Sequence, residues 1–360
     1  MTDIQEVLRF VVEHRGSDLH IQPGGAPSVR VDGSLVGSGF PSMTEGDCAQ
    51  LATAMMSKGQ AAELKRAGEV DFAYSESHSG RRFRVNVYRQ LAGLGIAARL
   101  LPPVPFSFEA LMLPAAVKGL VEHQRGLLLV TGPTSSGKTT TAAAMINHIN
   151  MTRPCHILTI EDPIEILHRN GRAVVSQREV GQSTADFATG IRAAMRQDPD
   201  VIFVGEIRDA ETVKAALQVA ETGHLVIATL HTTDVAETIN RVIEFFPMNQ
   251  QEQVRVALAG ATVGVVSQRL LPKVGGGRVP AVEVMVMNGR TRDLILKGRE
   301  THQLHDVIAK SAFYGIQTFD QALLKLYRAR LIELEDAKRA ASNPHDLHLA
   351  LQQEGLQPVS

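Results

Sequence analysis

Four short apolar runs alternate with longer helical stretches in the second part of this chain: Gly126-Leu-Leu-Leu-Val130, His156-Ile-Leu-Thr-Ile160, Val201-Ile-Phe-Val204 and Leu225-Val-Ile-Ala-Thr-Leu230. Runs that are apolar at successive positions suit strands buried on both faces, and the helices between them supply the crossovers of a parallel sheet. This restricts the region to an α/β fold with both sheet faces covered. The first hundred residues follow another rhythm. A helical pattern covers Ile4 to Glu13, and two alternating runs, Pro27-Ser-Val-Arg-Val-Asp-Gly33 and Arg82-Phe-Arg-Val-Asn-Val-Tyr88, read as strands of a small α+β domain. Between the two regions stands Leu101-Pro-Pro-Val-Pro105, which neither a helix nor a central strand tolerates. The reading is therefore a domain over residues 1–101 and a second over 102–360. The second ends in a helical tail beyond about Thr301, with Phe319, Leu323, Leu324 and Tyr327 at core spacing.

Directly after the first apolar run comes Gly132-Pro-Thr-Ser-Ser-Gly-Lys-Thr139, and an alanine-rich helical stretch follows from Thr140. The segment fits G-x-x-x-x-G-K-[ST] in the strand-loop-helix setting that phosphate binding requires. Glycines let backbone N–H groups approach phosphates, and the helix start adds a favourable dipole. Lys138 can neutralise β/γ oxygens, and the Thr139 hydroxyl can ligate Mg²⁺. The candidate nucleotide-binding residues are Gly132, Pro133, Thr134, Ser135, Ser136, Gly137, Lys138, Thr139 and Thr140, with ATP or GTP as ligand.

Val201 to Val204 runs into Gly205-Glu206, which delivers a carboxylate to the strand's C-terminal end, where open α/β sheets bind ligands. Glu206 is the candidate to orient or activate water and to contribute to Mg²⁺, since Gly205 stands where a metal-holding Asp is common. Glu161-Asp-Pro-Ile-Glu165 follows the strand at His156 to Ile160. An Asp-Pro turn needs only Asp162, which leaves Glu161, and less strongly Glu165, to a site role. His224 and His231 flank the fourth run, about 23 Å apart in extended chain at roughly 3.3 Å per residue, so they cannot chelate one metal. A phosphate contact for at least one and hydrogen-bonded structural roles both stand open. Arg82, Arg84 and Arg99, taken alone, read as a solvated strand face.

Composition narrows the function classes. A formal net charge of −1 gives no overall pull toward nucleic acid. Two cysteines, Cys48 and Cys155, argue against a disulfide framework or a cysteine zinc site. The N-terminus lacks a signal-peptide pattern, and the longest mostly apolar run, Val256 to Val266, is short for a membrane span. A cytoplasmic protein, peripheral at a membrane at most, is expected.

Together these residues resemble a bacterial family, the PilT-like type IV pilus retraction ATPases within the type II/type IV secretion ATPase family. The resemblance covers nearly the whole chain. Gly16-Ser-Asp-Leu-His-Ile21 and Arg82-Phe-Arg-Val-Asn86 look like the family's N-terminal domain. Ile157 to Glu165 resembles its Asp box, Arg196 to Asp209 its Walker B segment, and Ala220 to Thr233 its His box. The resemblance implies a PAS-like N-terminal domain, a RecA-like ATPase domain, and a homohexamer with nucleotide held between domains. It implies Glu206 as catalytic glutamate and Glu161 as an acid positioning water or Mg²⁺. It also implies His231 and His224 in a nucleotide-state relay, and Arg84, Arg99 and Arg82 as phosphate-sensing. The implied partner is an inner-membrane pilus platform protein, with no nucleic acid. The short chain and paucity of cysteines favour retraction over assembly. Where retraction ATPases typically show Ala-Ile-Arg-Asn-Leu-Ile, this chain has Arg290-Thr-Arg-Asp-Leu-Ile295, keeping Arg292, Leu294 and Ile295. Alternatives are an assembly, accessory retraction, secretion or DNA-uptake motor. In another class, a non-hydrolysing regulator would keep the loop without needing Glu206.

Overall fold

The computed structural model describes residues 2–101, 107–298, 301–311 and 315–353. The chain separates into two units, Met1–Pro105 with Asp162–Leu167, and Phe106–Glu161 with His168–Ser360. The prolines at 102, 103 and 105, which carried the expected boundary, lie outside the described residues.

The first unit opens with α1 (Ile4–Glu13), capped by the Asp3 side chain, which accepts from Gln5 N. Ile4, Val7, Leu8 and Val11 form its buried stripe. β1 (Asp18–Ile21), β2 (Ser28–Val31) and β3 (Ser34–Gly37) follow, and Asp32 and Gly33, both at positive φ, turn β2 into β3. α2 (Glu45–Met55) and α3 (Lys58–Ala67) each start in a capping box. β4 (Glu69–Ser75), β5 (Arg82–Gln90) and β6 (Gly93–Leu100) complete an antiparallel sheet of order β3-β2-β1-β6-β5-β4. β5 sends Phe83, Val85 and Val87 into the core with Leu19, Val29, Phe72 and Ile96. Arg82 and Arg84 take the alternate positions, as strand periodicity requires.

The second unit contains α4 (Ala115–Val121), β7 (Gly126–Thr131), α5 (Lys138–Thr152), β8 (His156–Glu161), β9 (Val174–Glu179) and α6 (Phe187–Ala194). There follow β10 (Val201–Val204), α7 (Ala210–Glu221), β11 (Leu225–Leu230), α8 (Val235–Glu244) and α9 (Met248–Ala261). β12 (Thr262–Pro272), β13 (Arg278–Val286), α10 (Gly289–Lys297), α11 (Leu304–Ala309), α12 (Phe319–Arg328), α13 (Leu334–Ala340) and α14 (Pro344–Gln353) complete it. The sheet order is β13-β12-β7-β11-β10-β8-β9, parallel except where β12 meets β13. β7 explains the unbroken apolar run: Leu127 and Leu129 join the core on one face, Leu128 and Val130 that on the other. This is a RecA-like α/β layer with its phosphate loop after a central strand.

The apolar run from Val256 to Val266 is two elements, because α9 ends at Ala261 and β12 starts at Thr262. No helix among the described residues is long and apolar enough to cross a membrane. The C-terminal helices bury Phe319, Leu323, Leu347 and Leu351 around Leu271 and Val279, with Leu324 and Tyr327 packed at the margin. In α10, Leu294 and Ile295 enter the main core and Arg292 Nε donates to Ala259 O at 3.1 Å. The three positions retained from the retraction pattern are thus ones with a packing or hydrogen-bonding task.

Candidate active site

The carboxyl ends of β7, β11, β10 and β8 lie side by side, with Glu161 closing β8 and the turns after β7, β10 and β11 following their strands. After β7 the loop needs glycine twice. Gly132 has φ +149°, and a Cβ there would strike the Gln268 carbonyl; Gly137 has φ +89°, and a Cβ would come 2.6 Å from Gln268 Nε2. Lys138 opens α5 and is buried. Its Nζ donates to Gly132 O at 2.7 Å and Pro133 O at 2.9 Å, and lies 3.5 Å from His231 Nδ1. Ser136 Oγ is buried with no hydrogen-bond partner among the described residues. A buried hydroxyl without such a partner, in the same loop as a buried lysine, fits an oxygen-rich anion such as phosphate. Thr139 is exposed on the first helical turn, open to a ligand.

Glu206 sits just past β10 between two backbone anchors, Gly205 N to Ile160 O at 2.7 Å and Ile207 N to Thr229 O at 2.9 Å. Its Oε1 lies 3.0 Å from His231 Nε2, and its Oε2 2.7 Å from an Arg208 guanidinium nitrogen. His231, just past β11, therefore bridges Lys138 on one side and Glu206 on the other. A cleft of about 750 Å³ runs from these groups along α8, lined by Glu206, Arg208, His231, Asp234, Asn240 and Arg241. Glu161 closes β8, buried, with its Oε1 accepting from Thr159 Oγ1 at 2.6 Å and Gln177 Nε2 at 3.1 Å. Glycine at 205 has a local reason: a Cβ there would come within 3.2 Å of Glu161 Cα and of Ile160 O. The missing Asp and the neighbouring Glu161 are two sides of one packing constraint.

Other candidates fall elsewhere. His224 precedes β11, at the opposite end of the strand from His231; its Nδ1 lies 3.2 Å from Val219 O, and its carbonyl accepts from Gly126 N. The chain does not bring it to the phosphate loop. Glu161 belongs to the second unit, whereas Glu165 lies in the first, 3.9 Å from Arg84 Nη1. Arg82 donates to Ile164 O at 2.9 Å, and Arg99 Nε donates to Asp18 Oδ1 at 2.8 Å. Burial raises the Asp18 carboxyl, but the Arg99 hydrogen bond and charge, with the Ser17 hydroxyl, outweigh it and hold the group below its ordinary value.

Sequence reading gave no role to Arg208 or Gln268. Arg208 was within reach, because residues two apart in extended chain point the same way and Glu206 is its i−2 neighbour. Gln268 contacts a loop more than 130 positions earlier, which no local pattern reveals.

A phosphate loop after the central strand of a RecA-like sheet, facing a glutamate on the adjoining strand ends, defines a P-loop nucleoside triphosphatase. More particularly, the chain belongs to the type II/IV secretion system protein family, whose pattern it matches over residues 1–276. It is 41% identical to the type IV pilus retraction ATPase PilT of Pseudomonas aeruginosa over 344 residues, 96% of this chain and 99% of that one. It is 42% identical to a twitching motility protein of Neisseria gonorrhoeae over 322 residues, 89% of this chain and 86% of the other. A crystal structure of the pilus retraction motor PilT with bound ADP superposes with a TM-score of 0.89 at 45% identity, covering 97% of this chain and all of that one.

Proposed function

We propose that this chain is a hexameric motor ATPase that couples ATP hydrolysis to type IV pilus retraction. The observation that carries the reading is the continuous set of contacts from Lys138 through His231 to Glu206 at the phosphate loop, in a chain similar to PilT over nearly its full length. The loop N–H groups and Lys138 bind the phosphates, whose oxygens compete with the Gly132 and Pro133 carbonyls for the ammonium. Glu206 orients the attacking water and accepts its proton, with Arg208 and His231 holding the carboxylate in place. Thr139 and Glu206 would hold Mg²⁺, whose positive charge offsets charge building on the phosphate oxygens. Glu161, fixed by Thr159 and Gln177, supports the water or the metal.

His231 is suited to report nucleotide state, since it touches both the lysine and the glutamate. Phosphate sensing by Arg84, Arg99 and Arg82 rests on the family resemblance. Arg84 and Arg99 would each have to exchange a present carboxylate neighbour, Glu165 and Asp18, for phosphate. The homohexamer, the platform protein of the inner membrane as partner, and a cytoplasmic, membrane-peripheral location belong to the same reading.

The test is deletion of the gene followed by complementation. Loss of a retraction motor leaves cells with excess pili and no twitching, and a Lys138→Ala copy fails to restore movement. Cells that lose their pili, or that twitch normally, contradict the reading.

A further inference from the structure

β12 carries a buried amide against the back of the phosphate loop. The register pairs Ser267 with Thr131, the last residue of β7, so the next residue, Gln268, stands beside the start of the loop. Gln268 is only 3% exposed. Its Nε2 donates to Ser136 O at 2.7 Å, and its Oε1 accepts from Thr141 Oγ1 at 2.7 Å. The amide has one orientation here: a carbonyl can only accept, so nitrogen faces Ser136 and oxygen faces the threonine hydroxyl. Gln268 also touches both loop glycines, through its carbonyl at Gly132 and its side chain at Gly137. One residue thus fills the space that those glycines leave, and ties the loop to the first turn of α5.

We infer that Gln268 is a positioning residue for nucleotide binding. A loop that cradles phosphate must turn its N–H groups inward, and its carbonyls then need partners on the outside. Gln268 supplies the partner for Ser136 O from a neighbouring strand, and Thr141 locks the amide that does so. Ser267 reinforces the same junction, its Oγ lying 2.7 Å from Thr131 Oγ1. The inference rests on the ATPase reading and adds to it a residue outside every motif that identified the site.

The experiment compares wild type with Gln268→Met, Thr141→Val and Thr141→Ser. The readouts are the Kd of a fluorescent ADP analogue, KM and kcat for ATP, and the melting temperature without nucleotide. Gln268→Met leaves the Ser136 carbonyl buried without its donor, so Kd and KM should rise about ten- to a hundredfold. The chemical step should change less, because the side-chain hydrogen bonds of Gln268 go to Ser136 and Thr141, whereas Glu206 pairs with Arg208 and His231. Thr141→Val should weaken binding in the same direction by a smaller factor, and Thr141→Ser, which keeps the hydroxyl, should restore it. A Gln268→Met protein that binds and turns over within twofold of wild type overturns the inference. So does a loss of affinity explained wholly by loss of folded protein. If Gln268→Met does not fold, the threonine pair decides: Thr141→Val indistinguishable from Thr141→Ser overturns it. A wild-type chain without nucleotide affinity would instead overturn the ATPase reading, and this inference with it.

Discussion

His224 and His231 bracket a single buried strand, yet their surroundings differ. At the amino end of β11, His224 lies against Val219 O and Thr222 of the preceding turn, and its backbone closes onto Gly126. At the carboxyl end, His231 stands between an ammonium and a carboxylate. Parallel strands point all their carboxyl ends the same way, so the end of β8 and the turns after β7, β10 and β11 lie on one edge, while His224 lies on the opposite one. Two identical side chains in one motif differ in surroundings because the sheet has direction.

That contrast can be broken most decisively at the lysine. Lys138→Ala removes the ammonium held by the loop carbonyls, and turnover should fall by about 10²- to 10³-fold in a steady-state ATPase assay. Near-normal turnover would detach the carboxyl edge from function altogether. The histidines sharpen the comparison directly. His231→Ala should lower kcat about ten- to a hundredfold, as expected for losing a hydrogen bond to a charged group. His224→Ala, measured in the same assay on the isolated protein, should stay within about twofold. Equal losses would mean that the two ends of β11 are not functionally distinct.

The smallest effect on turnover is expected at Glu283 on β13. It accepts from Val235 N at 2.9 Å, four residues beyond His231, and so anchors the segment that presents the histidine. Burial, helped by the charges of Asp234 and Asp320 and opposed by the Val235 N–H and Arg269, raises its carboxyl from 4.5 to about 7. Below the ordinary value folded and unfolded chains both hold the proton. Between the two values the folded chain holds it and the unfolded chain does not, so this contribution to stability falls as pH rises toward 7, by a few kcal/mol in order of magnitude. Glu283→Gln should remove that slope. Melting temperatures at pH 5 and pH 8 should converge in the variant relative to wild type; an unchanged difference would contradict the assignment.

Much of this organisation is legible in the residues, because the informative signals are local. Ile4 to Glu13 is helical as its periodicity requires, and the apolar runs at Val201 and Leu225 are strands over the same bounds. The phosphate loop could be read because motif and setting are contiguous. What escaped depends on distant packing. Gly205 looks like an absent metal ligand until the approach of β8 shows that a side chain there would crowd Glu161. Glu165 carries no sign in the sequence of its neighbour Arg84, about eighty positions earlier. Gln268 reads as one polar residue in a strand until register sets it behind the loop. Such facts are consequences of which strands become neighbours, and spacing along the chain does not encode that order.

The central claim is that the carboxyl edge of the sheet binds ATP with one set of groups and activates water with another. Glu206→Gln tests it most directly, because the amide keeps the shape of the side chain but cannot take a proton at neutral pH. Nucleotide affinity and steady-state turnover should be measured on the same preparation. The account predicts affinity close to wild type with turnover lowered by about 10²-fold or more; a variant that hydrolyses ATP at the wild-type rate would contradict it.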